Sequence, residues 1–229
     1  MAKAEAIEVY LETGKKKTFA VALDWSGWAR SGRDEDAALQ SLFDYRTRYA
    51  QVLKPTKIAF KKPEDLHVLT VVERQKGNTT TDFGAPNLEL PHDTEAVSPE
   101  ELKRWEAILQ ACWQAFDKAA ETAQGKTLSK GPRGGGRALQ KIVEHVRDVD
   151  AAYLRSLNGQ ISYDDKGDPM QALALIRQAI LETLSGRING DIAAEGPRGG
   201  KKWTPRYFVR RLAWHELDHA WEIEDRAEP

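Results

Sequence analysis

From Ser98 onward, apolar residues recur at intervals of three and four in four successive stretches, and this period constrains the fold more than any other feature. Ser98-Pro99-Glu100-Glu101 opens the first stretch as a capping box with proline at the first helical position. Leu102, Trp105, Leu109, Trp113, Phe116 and Ala120 follow at helical spacing. A second helix is predicted from about 137 to 157, with Leu139, Ile142, Val146, Val149 and Tyr153 as its stripe. Two more are predicted, from about 170 to 186 and from about 205 to 226. Four amphipathic helices of this length can enclose one core, so residues 98–229 are expected to form an up-down four-helix bundle. Trp105, Trp113, Trp214 and Trp221 fall at stripe-like positions and are expected in that core.

Residues 1–76 read differently, as a small α+β domain. Ile7, Val9 and Leu11 alternate with Glu8, Tyr10 and Glu12, the period of a half-buried strand. A Gly-containing turn at 13–16 leads to Lys17, Phe19, Val21 and Leu23, which completes a hairpin. Trp25-Ser26-Gly27-Trp28 interrupts the pattern, and Ala29-Arg30-Ser31-Gly32 adds a short strand. Asp34 is an N-cap for a helix ending before Pro55, and a strand follows at Leu66 to Glu73. Between them, residues 77–97 carry glycines, prolines and a run of three threonines, Thr79 to Thr81, without apolar periodicity, which marks a linker or docking loop. Asn78 to Gly84 reads as a capped turn.

Composition narrows the class. Lys and Arg number 34 against 35 Asp and Glu, a formal charge of −1, so a basic footprint for nucleic acid or an anionic membrane is missing. A single cysteine, Cys112, and an opening stretch without an apolar run lead to the expectation of a cytoplasmic protein.

The chemistry-bearing residues lie in the helical part. His215 and His219 stand four apart on the last predicted helix, one turn apart on one face, so both imidazoles can reach one cation. His145, at the edge of the second helix's stripe, can turn toward the bundle axis. Three neutral imidazoles would leave open positions on a divalent cation, and zinc or nickel suits such donors. Asp218 and Glu222 share this face, and on a helical wheel Glu222 projects close to His215. Either carboxylate could orient a ligand histidine or act as a base, or simply take part in ion pairs such as Glu222 with Arg226. The alternative is a non-catalytic binding or regulatory module whose histidines are structural.

One short string recurs: Gly131-Pro132-Arg133-Gly134-Gly135 returns as Gly196-Pro197-Arg198-Gly199-Gly200, each copy ahead of a histidine-bearing helix. These are two loop-to-helix turns of shared composition, or two loops meeting at one end of the bundle. In the second case their amides, with Arg133, Arg137 and Arg198, would form an anion-binding mouth.

The segment Arg210-Arg211-Leu212-Ala213-Trp214-His215-Glu216-Leu217-Asp218-His219 resembles the last-helix histidine motif of the DinB-like superfamily. Leu139-Gln140-Lys141-Ile142-Val143-Glu144-His145 resembles the helix carrying that family's first histidine. The resemblance spans residues 98–226 and implies a four-helix bundle with a divalent metal on His145, His215 and His219. It also implies chemistry of the kind found among its members, which include S-transferases and isomerases dependent on low-molecular-weight thiols. The partner is then a small-molecule electrophile, with a homodimer as the assembly considered, and the arginine loops would hold the carboxylates of the thiol. Separately, Phe19 to Trp28 followed by Ser31 to Leu39 is similar to the small α+β domain of HicB-like antitoxins. Here the charge is neutral and no separate DNA-binding segment follows, so a role in assembly, or in covering the mouth of the bundle, is expected.

Overall fold

The computed structural model describes residues 6–130 and 136–228. The chain divides into two compact units, the first ending at Leu90 and the second beginning at Pro91. No described helix is long and apolar enough to cross a membrane.

The first unit is built on a sheet of β1 (Ile7–Thr13), β2 (Thr18–Ala22), β3 (Ala29–Gly32) and β4 (Leu69–Lys76), in the order β3-β2-β1-β4. β1 and β4 pair in parallel, the other neighbours antiparallel. The Gly14 amide donates to the Lys17 carbonyl at 2.8 Å and closes the β1–β2 hairpin. Between β3 and β4 the chain runs through α1 (Glu35–Asp44) and α2 (Arg46–Leu53). Asp34 caps α1 by accepting from the Ala37 amide. The helix expected from Asp34 onward is thus two, interrupted at Tyr45 (φ −80°, ψ −2°). Trp28 fixes α1 by donating its indole N–H to the Leu42 carbonyl at 2.8 Å, and its ring stacks on Tyr49 of α2 at 5.6 Å.

β1 departs from the half-buried pattern. Tyr10 and Glu12, expected outward, are 1% and 0% exposed. The physical reason is the segment after β4. There α3 (Thr79–Phe83), capped by Asn78, folds back so that the Thr81 hydroxyl donates to Glu12 at 2.5 Å. The amides of Asn87 and Leu88 complete the cage at 3.0 and 3.2 Å. A buried carboxylate needs such donors. Residues 77–90 therefore belong to the first unit; Leu90 is buried, whereas Phe83 is exposed.

The second unit is the bundle: α4 (Pro99–Thr122), α5 (Leu139–Ser156), α6 (Pro169–Asn189) and α7 (Pro205–Arg226). The Ser98 hydroxyl and Glu101 carboxylate form the expected capping box on α4. Arg206 pairs with Glu101 where α4 and α7 begin, and the Ser129 amide donates to the Arg226 carbonyl at 2.8 Å where they end. α5 starts at the end of α7, with Arg226 donating to the Arg137 carbonyl at 2.9 Å. It finishes at the start of α7, with the Trp203 amide on the Ser156 carbonyl at 2.9 Å. Ile142, Val143 and Val146 of α5 share a core cluster with Leu173 near the start of α6, Phe116 of α4 and Ala220 and Ile223 of α7. The helices therefore run up, down, down, up. All four stripe tryptophans are buried.

Two charged clamps lie inside this unit. Arg210 of α7 grips Asp93 of the 3-10 turn Pro91–Thr94 with two hydrogen bonds, 2.5 and 2.7 Å, both side chains buried. Arg177 of α6 holds Asp117 of α4 at 2.7 and 2.9 Å and Glu216 of α7 at 3.3 Å. Asp150 is fully buried beside Glu216; burial, then that neighbouring carboxylate, pushes its pKa well up.

Candidate metal centre

α7 carries Arg211, His215, His219, Glu222 and Arg226 at intervals of three and four, which aligns them along one face. α5 runs antiparallel beside it and brings His145 and Tyr153 to the same seam. Nε2 of His215 and Nε2 of His145 face each other at 3.4 Å. The ring centroids of the three histidines are 4.6, 5.0 and 5.4 Å apart. One ligand nitrogen from each lies within 4.8 Å of the others.

This donor set fits a metal. Two nitrogens on one tetrahedral cation, each at about 2.0–2.1 Å, stand roughly 3.3 Å apart. The His145–His215 spacing is close to that edge. Nδ1 of His219 is 2.8 Å from a Glu222 carboxylate oxygen, an arrangement that makes Nδ1 the protonated nitrogen and leaves Nε2 as the lone-pair donor. Glu222 is in turn held by Arg226, which also donates to the Ser129 carbonyl at 2.8 Å. Gly136 lies against this guanidinium: a Cβ there would come within 2.3 Å of Nη2. The oriented nitrogen is thus fixed by a chain of contacts reaching the end of the bundle.

Burial and neighbouring charge keep the rings of His145 and His215 neutral. Burial lowers the pKa of His145 to about 4, assisted by His219 and Arg137. His215 is shifted well below the ordinary imidazole range, first by burial, then by the other two imidazoles, then by Arg211 and Arg137. Glu222 is lowered, first by its hydrogen bond with His219. Neutral imidazoles are the metal-binding form.

The helical wheel placed Glu222 beside His215; its partner is His219, three residues back, because side chains on a helix lean toward its N-terminus. Asp218 is half-buried on α7 and falls outside the three-histidine cluster. Arg137 and Arg198, expected at one mouth, lie at opposite ends of α5. Arg133 lies outside the described residues; Arg137 is tied to Arg226 at the end of α7. Arg198 sits beyond the opposite end of α5, where the Lys202 ammonium donates to the Arg155 carbonyl at 2.8 Å. The 18 residues of α5 put about 27 Å between those ends. The second loop is a tight exposed turn whose Gly196 amide is spent on the Gly200 carbonyl. Arg137 bears on His145 and His215 as a positive neighbour.

Tyr153 was assigned to the core stripe. It is half-buried with its ring 5.7 Å from His215, and Arg211 stands over it. The position of Arg211, four residues before His215, is the sequence signal that could have marked it.

The sequence model of the DinB superfamily matches residues 108–223, just over half of the chain. The chain belongs to the DinB superfamily. The match contains all three histidines of the DinB bundle and leaves the first unit outside it. No curated protein matches the chain. Among solved structures it is similar to YfiT from Bacillus subtilis, described as a probable metal-dependent hydrolase with an unusual four-helix bundle topology. The two are 20% identical, with a TM-score of 0.40, over 62% of this chain and 91% of that one.

Proposed function

We propose that the DinB bundle is a metal-dependent enzyme in which His145, His215 and His219 hold one divalent cation, zinc or nickel, and that it drives attack of a thiol or water on a small electrophile. The observation that carries this reading is the convergence of three ring nitrogens from two helices within 4.8 Å. A cation bound there would supply Lewis acidity and lower the pKa of a neighbouring thiol or water toward neutrality.

The chain's own residues have separate tasks. Glu222 keeps the proton on Nδ1 of His219, so that Nε2 is presented as a donor. Arg226 neutralises the outer oxygen of Glu222 and holds it in place. Asp218, half-buried on α7, is the group we assign to accept a proton from the attacking thiol or water. A low-molecular-weight thiol is the co-substrate that the thiol-dependent members of the family suggest, with Arg137 a positive neighbour of the histidines. Residues 6–90, whose sequence resembles the HicB-like domain, are the unit we assign to assembly. A monomer at all concentrations in light scattering, with no partner in a pull-down, would contradict this assignment.

The test of the chemistry is turnover. Loaded with zinc or nickel, the protein should convert an activated haloarene with a thiol, or an activated ester with water, and His219→Ala should abolish it. Metal-loaded protein inert toward both classes, with unchanged ligand-free stability in the variant, would leave a binding module with structural histidines.

A further inference from the structure

We infer that Arg226 is a positioning residue of the metal centre: acting through Glu222 on His219, it ties the presentation of that ring's donor nitrogen to both flanks of the α4–α5 connection, and a seated cation tightens those flanks in return. This rests on the metal reading above and adds the control of that site.

The chain of contacts is continuous. Nδ1 of His219 lies 2.8 Å from Oε2 of Glu222. The other carboxylate oxygen, Oε1, accepts from Nη1 of Arg226. Nε of the same guanidinium donates to the Ser129 carbonyl at 2.8 Å, and Nη2 donates to the Arg137 carbonyl at 2.9 Å. Ser129 follows α4 and Arg137 precedes α5, so one side chain holds both flanks. Arg226 is 6% exposed, and these acceptors stand in for its water. A guanidinium presents its donors as a rigid fork, which fixes the directions of all three acceptors at once; an ammonium does not. Nδ1 of His215, by contrast, is buried with no hydrogen-bond partner, so this support enters the site through His219.

Both flanks bear directly on the arginine. The Arg226 carbonyl accepts from the Ser129 amide at 2.8 Å and from its hydroxyl at 3.2 Å, and Leu128 bridges to Ala227. A displacement of Leu128 and Ser129 therefore carries Arg226 with it. On the other flank a Cβ at Gly136 would come within 2.3 Å of Nη2 and 2.8 Å of the guanidinium carbon. Glycine is needed there for the close approach. A guanidinium on a flexible stem ordinarily swings aside at little cost; here swinging aside breaks the contact with Glu222 or with Arg137. Coupling of this kind is reciprocal: the factor that the clasp adds to cation affinity is the factor that the cation adds to the clasp.

The experiment uses the full chain, freed of metal with a chelator, and zinc as the probe. Zinc affinity is measured against a chromophoric chelator for wild type, Arg226→Gln, Glu222→Gln and the double variant. Arg226→Gln is expected to weaken zinc binding about 10-fold or more, the range for outer partners of metal-bound histidines. In the Glu222→Gln background the same change should weaken it less than about 2-fold, because its route to His219 is already cut. A guanidinium that only holds the fold together would give additive losses. Gly136→Ala should act in the same direction, and it takes the place of Arg226→Gln in the cycle if that variant does not fold. Hydrogen exchange reads the return path: zinc should protect the Ser129 amide about 5-fold or more beyond the Trp203 amide, which is bonded at the other end of α5. Additive losses, zinc affinity untouched in both Arg226→Gln and Gly136→Ala, or equal protection of the two amides would overturn the inference while leaving the metal site standing. A wild type that takes up no zinc would remove the metal reading and this inference together.

Discussion

At His215 burial and neighbouring positive charge act in the same direction, against protonation; at His145 burial, His219 and Arg137 outweigh the opposing carboxylates of Asp148 and Glu222. The sign of the consequence is definite. Unfolded, these imidazoles titrate near pH 6.5; folded, both stay neutral to lower pH, His145 to about 4. Between those values the unfolded chain binds more protons, so the stability of metal-free protein should fall as pH is lowered from 6.5 toward 4. Urea denaturation of chelator-treated protein across that window checks this, and a His145→Ala, His215→Ala double variant should flatten the profile. Glu222 offers a second test at this scale. Glu222→Gln keeps the shape but weakens the grip on Nδ1–H of His219, and metal affinity should drop about 10- to 100-fold by competition with a chromophoric chelator. An affinity unchanged by the substitution would make the Glu222–His219 contact incidental.

At the scale of elements, what the sequence revealed and what it hid divide along physical lines. Helix starts were legible because they rest on local chemistry: Ser98, Pro99 and Glu101 announce α4, and Pro205 announces α7. The histidine pair was legible because helical spacing is local too, and His145 because its place at the edge of an apolar stripe left it one direction in which to turn. Long-range partners were hidden. Nothing around Glu12 indicates that Thr81, Asn87 and Leu88 will enclose it, and nothing around Asp93 foretells Arg210, 117 residues on. The separation of Arg137 from Arg198 was hidden for the same reason: composition carries no information about which end of a bundle a residue occupies. The Arg210–Asp93 clamp should matter greatly to α7. Asp93→Ala leaves a buried guanidinium without its two acceptors and should cost about 3–5 kcal/mol in denaturant unfolding. Replacing both residues, with Asp93→Leu and Arg210→Met, should recover most of that loss, since the pair's attraction is largely offset by its desolvation.

At the scale of the whole molecule, the three histidines, the superfamily match and both charged clamps fall within the second unit. A fragment of residues 91–229 is therefore expected to fold by circular dichroism and to bind metal as tightly as the full chain by calorimetry. A fragment that is helical but metal-free would show that residues 6–90 complete the site. The most direct test of the central claim is the metal content of the full chain purified without a histidine tag. One equivalent of a divalent transition metal should be found in wild type and lost in His145→Ala, which removes the donor supplied by the other helix, as well as in His215→Ala and His219→Ala. A wild type that holds no metal, and whose melting temperature is indifferent to added zinc and nickel, would contradict it.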